Sequence, residues 1–149
     1  MNDMVLGSNA PCWNEIDRLA ALREFEILDT APEGAFDGIA RIAAHVCNAP
    51  IALVSFVDER RQWFKSDIGL GVKETGLDLS VCAHAILQHG LFVIPDMARD
   101  PRLDCNLSNA EGQRLRFYAG AVLETNDGFP LGTLCVLDYA PRPEGLTNE

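Results

Sequence analysis

Basic side chains are scarce in this chain. Only 12 lysines and arginines stand against 22 aspartates and glutamates, a formal net charge of −10 at pH 7. Nucleic-acid recognition needs a basic patch that neutralises phosphates, and docking on an anionic membrane surface uses the same chemistry. The most basic features are the pair Arg60-Arg61 and the spaced Arg114 and Arg116, so neither kind of partner is expected. Long apolar runs are missing too. No stretch approaches the ~18–20 residues of a membrane-spanning helix. The opening MNDMVLGSNAP lacks the basic start and apolar stretch of a secretory signal. A cytoplasmic location follows as the expectation, with the five cysteines (Cys12, Cys47, Cys82, Cys105 and Cys135) as free thiols. Their odd number and the lack of any CxxC pair give no support to a disulfide framework or a zinc site. A P-loop, a GxGxxG after a strand, HExxH and GxSxG are absent as well.

What is present suits one domain with one core: 149 residues, 48% of them hydrophobic. Residues 1–13 read as a flexible tail. Asn14 is a helix N-cap, and the spacing of Ile16, Leu19, Leu22, Ile27 and Leu28 predicts a helix over 15–28. Phe36, Ile39, Ala40, Ala43, Val46 and Cys47 share one face of a second helix over 34–47. The period then shortens to that of strands, over 51–57 and 61–68, joined by a turn at Asp58-Glu59-Arg60. Ser80 caps a third helix over 81–89, and a short strand follows at 91–95. The segment 96–116 is polar and lacks a pattern; loops of that length in compact domains usually carry function or disorder. Phe117–Thr125 and Pro130–Leu137 form a hairpin around Asn126-Asp127-Gly128. Two hairpins imply an antiparallel sheet whose apolar faces helices must cover. Residues 141–145 read as a linker, and Leu146-Thr147 as the start of a further helix. A domain over 14–140 that opens a longer protein is the expectation.

Six fragments, in order and at natural spacing, resemble the GAF domains of bacterial sensor histidine kinases and diguanylate cyclases: ILDTAPEGAFDGIARIAA, PIALVSFVDERRQWFKSDIGL, DLSVCAHAIL, FVIPDMARDPR, RFYAGAVL and PLGTLCVLD. The resemblance covers about 18–140 and implies an α+β fold with a six-stranded, mostly antiparallel sheet. It implies that terminal helices on one face form a homodimer bundle. On the other face, short helices and the long segment would enclose a small-molecule pocket. Five strands are readable directly, and the sixth is expected within 70–80.

Several residues are candidates for chemistry. With Ser80 as cap, Cys82 occupies the second position of its helix, where partial positive charge favours a thiolate. That points to a redox-active or cofactor-anchoring thiol; the alternative is a small residue packing under the loop. His84 lies two positions on and points away from Cys82, so the two form no nucleophile–base dyad. It either faces the pocket or holds the loop backbone. Cys105, in the long segment, is a candidate redox partner for Cys82, whereas Cys47 and Cys135 read as packing. Asp96, Arg99, Asp100, Arg102 and Asp104 lack the spacing of a calcium loop and read as a segment stitched by salt bridges. Trp63, Phe64, Phe117 and Tyr118 are candidate pocket aromatics. Adjacent strand residues face opposite sides, so one of each pair is expected on the pocket side. Arg116 and Asp96 complete the candidate ligand-binding set, Arg116 as an anion anchor.

The expected function is sensing of a small molecule or of redox state, controlling a downstream kinase or cyclase, with no catalysis by this segment. The sequence requires no cofactor and names no ligand. A free methionine sulfoxide reductase is an alternative, because Leu79-Ser80-Val81-Cys82-Ala83 faintly resembles the Gly-Val-Cys-Gly segment of those enzymes. The flanking glycines are missing here. A GAF domain used only for dimerisation is another alternative. Covalent bilin attachment is disfavoured because Ala83 separates Cys82 from His84. In place of a cyclic-nucleotide signature, Phe92 to Asp96 keeps only part of the spacing and Met97 replaces its glutamate.

Overall fold

The computed structural model describes residues 12–103 and 107–146. Helix α1 spans Glu15–Glu24, and the Asn14 side chain accepts a 2.8 Å hydrogen bond from the Asp17 amide, as a cap should. The helix stops four residues short of the expected 28. Glu26 and Asp29 adopt left-handed φ of 50° and 62°, so Ile27 and Leu28 reach the core from an irregular connection. Helix α2 spans Gly34–Val46. The strands are β1 (Ile51–Val57), β2 (Arg61–Ile68), β3 (Glu74–Gly76), β4 (Leu91–Ile94), β5 (Phe117–Glu124) and β6 (Pro130–Asp138). The sixth strand is thus β3, inside the 70–80 window. Between β3 and β4 come a 3₁₀ turn at Leu77–Leu79 and helix α3, Cys82–Ala85. The Ser80 hydroxyl does accept from the Ala83 amide, at 3.0 Å. The expected helix over 81–89 nevertheless shrinks to four residues, because the chain tightens through Leu87–His84 and Gln88–Ala85 backbone bonds and turns at Gly90 (φ 74°).

The sheet order is β3-β2-β1-β6-β5-β4, with antiparallel pairing throughout. The two hairpins meet through β1 and β6, where Ile51 pairs with Leu137 and Phe56 with Gly132. The β5–β6 turn closes through the bond from the Thr125 amide to the Phe129 carbonyl, with Gly128 at φ 88°.

Each sheet face carries its own core. Leu22 of α1 and Ala40 of α2 pack with Val54, Phe56, Trp63, Phe117 and Val136. On the other face, Leu53, Phe64, Tyr118 and Leu137 meet α3 and the segment after β4. Two buried cations fasten the helical layer. A bulge in β2 leaves Lys65 unopposed, since Val54 pairs with Ser66 and Ser55 with Phe64. Its ammonium bonds Glu33 (2.6 Å), the Thr30 hydroxyl (2.7 Å) and the Ala31 carbonyl (2.6 Å), filling its three donor positions. Arg18 forks onto Glu15 (2.7 and 3.0 Å), donates to the Pro130 carbonyl and lies over the Trp13 ring. At the other end, Arg142 donates to the Cys47 and Asn48 carbonyls, both at 2.8 Å, and covers the Phe117 ring. It thereby docks the segment after β6 against the end of α2.

Among the glycines of the sheet, the closest approach of a neighbouring backbone lies at Gly132. A Cβ there would strike the Ser55 carbonyl oxygen and come within 2.8 Å of Phe56 Cα. Both are backbone atoms of β1 and cannot step aside. Gly132→Ala is therefore expected to destabilise the fold by about 3 kcal/mol, read as a lower urea midpoint. An unchanged midpoint would show that β1 and β6 are not packed this tightly.

Candidate functional site

The 96–116 segment does cover the sheet, but it fills the space beneath itself. Met97 and Leu115 enter the core, Leu103 and Leu107 pack against it, and a 3₁₀ turn spans Met97–Arg99. Asn109 locks the segment: its carbonyl oxygen accepts from the Glu111 and Gln113 amides, and its amide group donates to the Tyr139 hydroxyl at 2.8 Å. Among the described residues, a void of about 10 Å³ lies beneath the cover, lined in part by Leu53, Gln62, Thr75, Cys82, Tyr118 and Cys135. That is the space of a single water molecule. Leu70, Leu107 and Phe64 pack around it.

A buried sulfur stands at the centre of this layer. Cys82 is 1% exposed. Its Sγ lies 3.0 Å from the Thr133 hydroxyl, 3.1 Å from Gln62 Nε2, 3.2 Å from the Ser55 hydroxyl and 3.2 Å from the Tyr118 hydroxyl. Cys135 lines the same void. The hydroxyls link to one another, Ser55 to Thr133 at 3.1 Å and Tyr118 to Thr133 at 3.3 Å. The sheet builds this cage from four strands. Ser55 and Thr133 are direct cross-strand partners. Gly120 makes room for Tyr118, whose hydroxyl and ring edge would otherwise meet a Cβ. A neutral thiol is a weak acceptor with one proton to give; a thiolate can accept from every donor in the ring.

The sequence candidates divide by face. Phe64, Cys82 and Tyr118 gather around the cage. Trp63 and Phe117 belong to the opposite core, as strand alternation requires, and so do not line the void as ligand-binding residues. Trp63 and Phe64 do border an open groove of about 420 Å³ between the α1–α2 connection and β2–β3. Asp96 and Arg116 are not an anion site, because they neutralise each other in a two-pronged pair at 2.7 and 2.8 Å. Arg116 holds the Asp96 carboxyl below the usual carboxylate range. Asp100 pairs with Arg102 in the same way, so the segment is stitched by ion pairs. His84 is half-buried in α3 and lies close enough to Asp100 to lower its pKa slightly, behind the stronger effect of Arg102. Asp104 and Cys105 lie outside the described residues. Sequence reasoning missed Ser55, Gln62, Thr133 and Cys135. The available signal was a polar residue at an inward position of each apolar central strand, Ser55 in IALVSFV and Thr133 in PLGTLCVLD. Among the described residues, no three His, Cys, Asp or Glu side chains are grouped to hold a metal ion.

The helix start does not tune the thiol, since α3 is too short; the cage does. Burial pushes Cys82 up, but hydrogen bonds from Cys135, Ser55, Thr133 and Tyr118 together outweigh it and bring the thiol from 9.0 down to about 6. The bond to Cys82 and burial hold Cys135 well above 9.0, and burial with the Cys82 charge raises Tyr118. Cys82 is therefore the first of the three to ionise. Between about pH 6 and 9.0 the unfolded chain holds a proton on Cys82 that the folded chain has released. This contribution to stability grows as pH rises through that window and is lost as pH falls through 6. Above 9.0 the raised Cys135 and Tyr118 act in the opposite sense. Cys82→Ala is expected to flatten the rise in unfolding free energy across that window in urea titrations. Parallel profiles for the two proteins would refute an acidic Cys82.

Comparison with known proteins agrees with this architecture. The chain is 40% identical over 129 residues to a cyclic di-GMP phosphodiesterase of Pseudomonas aeruginosa, a match covering 87% of this chain and 22% of that protein. The chain thus spans about a fifth of the length of this curated relative. The GAF domain of a phosphoenolpyruvate-protein phosphotransferase from Coxiella burnetii superposes with a TM-score of 0.61 at 13% identity, covering 91% of this chain and 84% of that one. The free methionine-R-sulfoxide reductase of Neisseria meningitidis superposes with a TM-score of 0.59 at 14% identity, covering 90% and 81%. At such identities these two likenesses concern the fold alone. The GAF domain family model matches residues 31–149, most of the chain, and with the antiparallel six-stranded sheet between two helical layers it leads to one conclusion: the chain belongs to the GAF domain family.

Proposed function

We propose that this domain is the regulatory part of a bacterial signalling protein whose output makes or degrades cyclic di-GMP. The observation that carries this reading is the 40% identity to a segment of a cyclic di-GMP phosphodiesterase, over 87% of the chain. The match lies in a part of that relative with the size of one domain. The departures around Cys82 favour regulation over turnover of free methionine sulfoxide, since Ser80 and Ala83 stand where the enzymes of that reaction carry flanking glycines. Control of the output requires the signal to favour one of two domain states by ~1–3 kcal/mol, equivalent to a change of about 5- to 150-fold.

The helical face supports a homodimer as the unit that transmits the signal. Helix α2 presents Ile39, Ile42 and Val46 to solvent at 49%, 65% and 68% exposure, and Ile16 of α1 is exposed beside the same layer. Positions 39, 42 and 46 fall on one side of a helix, and an apolar stripe of this kind is usually covered in the working assembly.

Two measurements test the reading. Deleting residues 15–140 from the full-length gene product is expected to change its cyclic di-GMP hydrolysis or synthesis by about 5-fold or more. A full-length product with no such activity, or one indifferent to the deletion, overturns it. Ile42→Asp is expected to convert a dimer to a monomer in analytical ultracentrifugation, with an unchanged circular dichroism spectrum. A wild-type chain that sediments as a monomer at high concentration removes the dimer from the scheme.

A further inference from the structure

We propose that Cys82 and Cys135 are a nucleophile and resolving pair that closes a reversible disulfide inside the domain when hydrogen peroxide enters the void between them. The proposal stands apart from the identity of any output domain, and its test needs only this chain.

Four observations support it. The two cysteines, distant in sequence, are brought to one place because α3 sets its first residue onto β6, where the Cys82 sulfur lies 3.0 Å from the hydroxyl of Thr133, two positions before Cys135 on the same strand. Both line the same void, whose size admits a water-like molecule and excludes a metabolite. Thr75 lines that void as well, and its hydroxyl oxygen is buried without a hydrogen-bond partner, a polar group aimed at a small polar guest. Finally, the hydroxyls of Ser55, Tyr118 and Thr133 surround the sulfur at 3.0–3.2 Å, placing proton donors where an oxygen leaving group would form.

The chemistry balances within these residues and the peroxide. The Cys82 sulfur attacks one peroxide oxygen, an S–O bond forms and the O–O bond breaks. The departing oxygen takes the Cys82 proton, relayed through the hydroxyl ring, and leaves as water. Cys82 is then a sulfenic acid. The Cys135 sulfur attacks it, the S–S bond forms and the S–O bond breaks. The hydroxyl leaves as water with the proton that Cys135 carried. Two thiols have lost two electrons, and the peroxide has gained them. Closing to an S–S bond of ~2 Å needs a shift of α3 toward the sheet. A helix of four residues between two irregular stretches can make that shift. The proposal replaces the pairing of Cys82 with Cys105 that the sequence suggested by one between two described, buried thiols.

The test is peptide mapping of the purified chain after hydrogen peroxide treatment, alkylation and digestion. The expected result is a Cys82–Cys135 linked peptide, lighter than its two parts by two hydrogen atoms, that disappears on treatment with dithiothreitol or thioredoxin. Cys135→Ser should lose the link and accumulate a dimedone-reactive sulfenic acid on Cys82. Cys82→Ser should leave Cys135 reduced at the same dose. Circular dichroism confirms that both variants are folded, and the wild-type map stands without them. Cys82 and Cys135 remaining free thiols at a dose that fully oxidises the exposed Cys12, or a link from Cys82 to Cys105, overturns the proposal.

Discussion

The pairing of β1 with β6 is the constraint on which the rest of this domain rests. It joins two hairpins that are far apart in sequence, so the loop-closure entropy of the whole intervening chain must be met by contacts across one pair of strands. The contacts are correspondingly close. Gly132 allows the Ser55 carbonyl to approach where any side chain would collide. That approach sets Ser55 against Thr133, which makes two walls of the thiol cage, and it aligns Cys135 with the void. The site is thus a by-product of the close packing of β1 on β6.

The two faces of the sheet solve different problems. On the helical side, long cations serve as fasteners: Lys65 holds the α1–α2 connection and Arg18 holds α1 to the start of β6. Lys65 has its three donor positions filled, and all three guanidinium nitrogens of Arg18 are hydrogen-bonded, as a buried charge requires. On the other side the layer is thin and irregular, with one helix of four residues and a long cover held by Asn109 and by surface ion pairs. Surface pairs contribute little each, so this cover is the weaker half of the molecule and the natural place for a change of state.

Much of this was legible in the sequence where local chemistry decides the outcome. Asn14 capped its helix, the Asn126-Asp127-Gly128 turn closed its hairpin, and Trp63/Phe64 and Phe117/Tyr118 split between faces by the two-residue period of a strand. Helix ends were less legible. The left-handed turns at Glu26 and Asp29 follow from how the connection reaches Lys65 and Arg61, contacts more than 30 residues away in the chain. The packing of the cover was not legible: how Leu70, Leu107 and Leu115 mesh beneath it is announced by no periodicity in the 96–116 segment. The cage was missed for a related reason: Ser55, Gln62 and Thr133 are unremarkable singly and acquire meaning only when strand register brings them to one sulfur.

One consequence concerns distance. Tyr118 closes the cage on one face of the sheet, and its neighbour Phe117 lies on the other, under the guanidinium of Arg142. Arg142 in turn clasps the carbonyls of Cys47 and Asn48, just past the end of α2, and fixes the backbone that leaves β6. From the sulfur to the outgoing chain, this line of contacts crosses the thickness of a single peptide unit, so a substitution at either Phe117 or Tyr118 touches both ends at once.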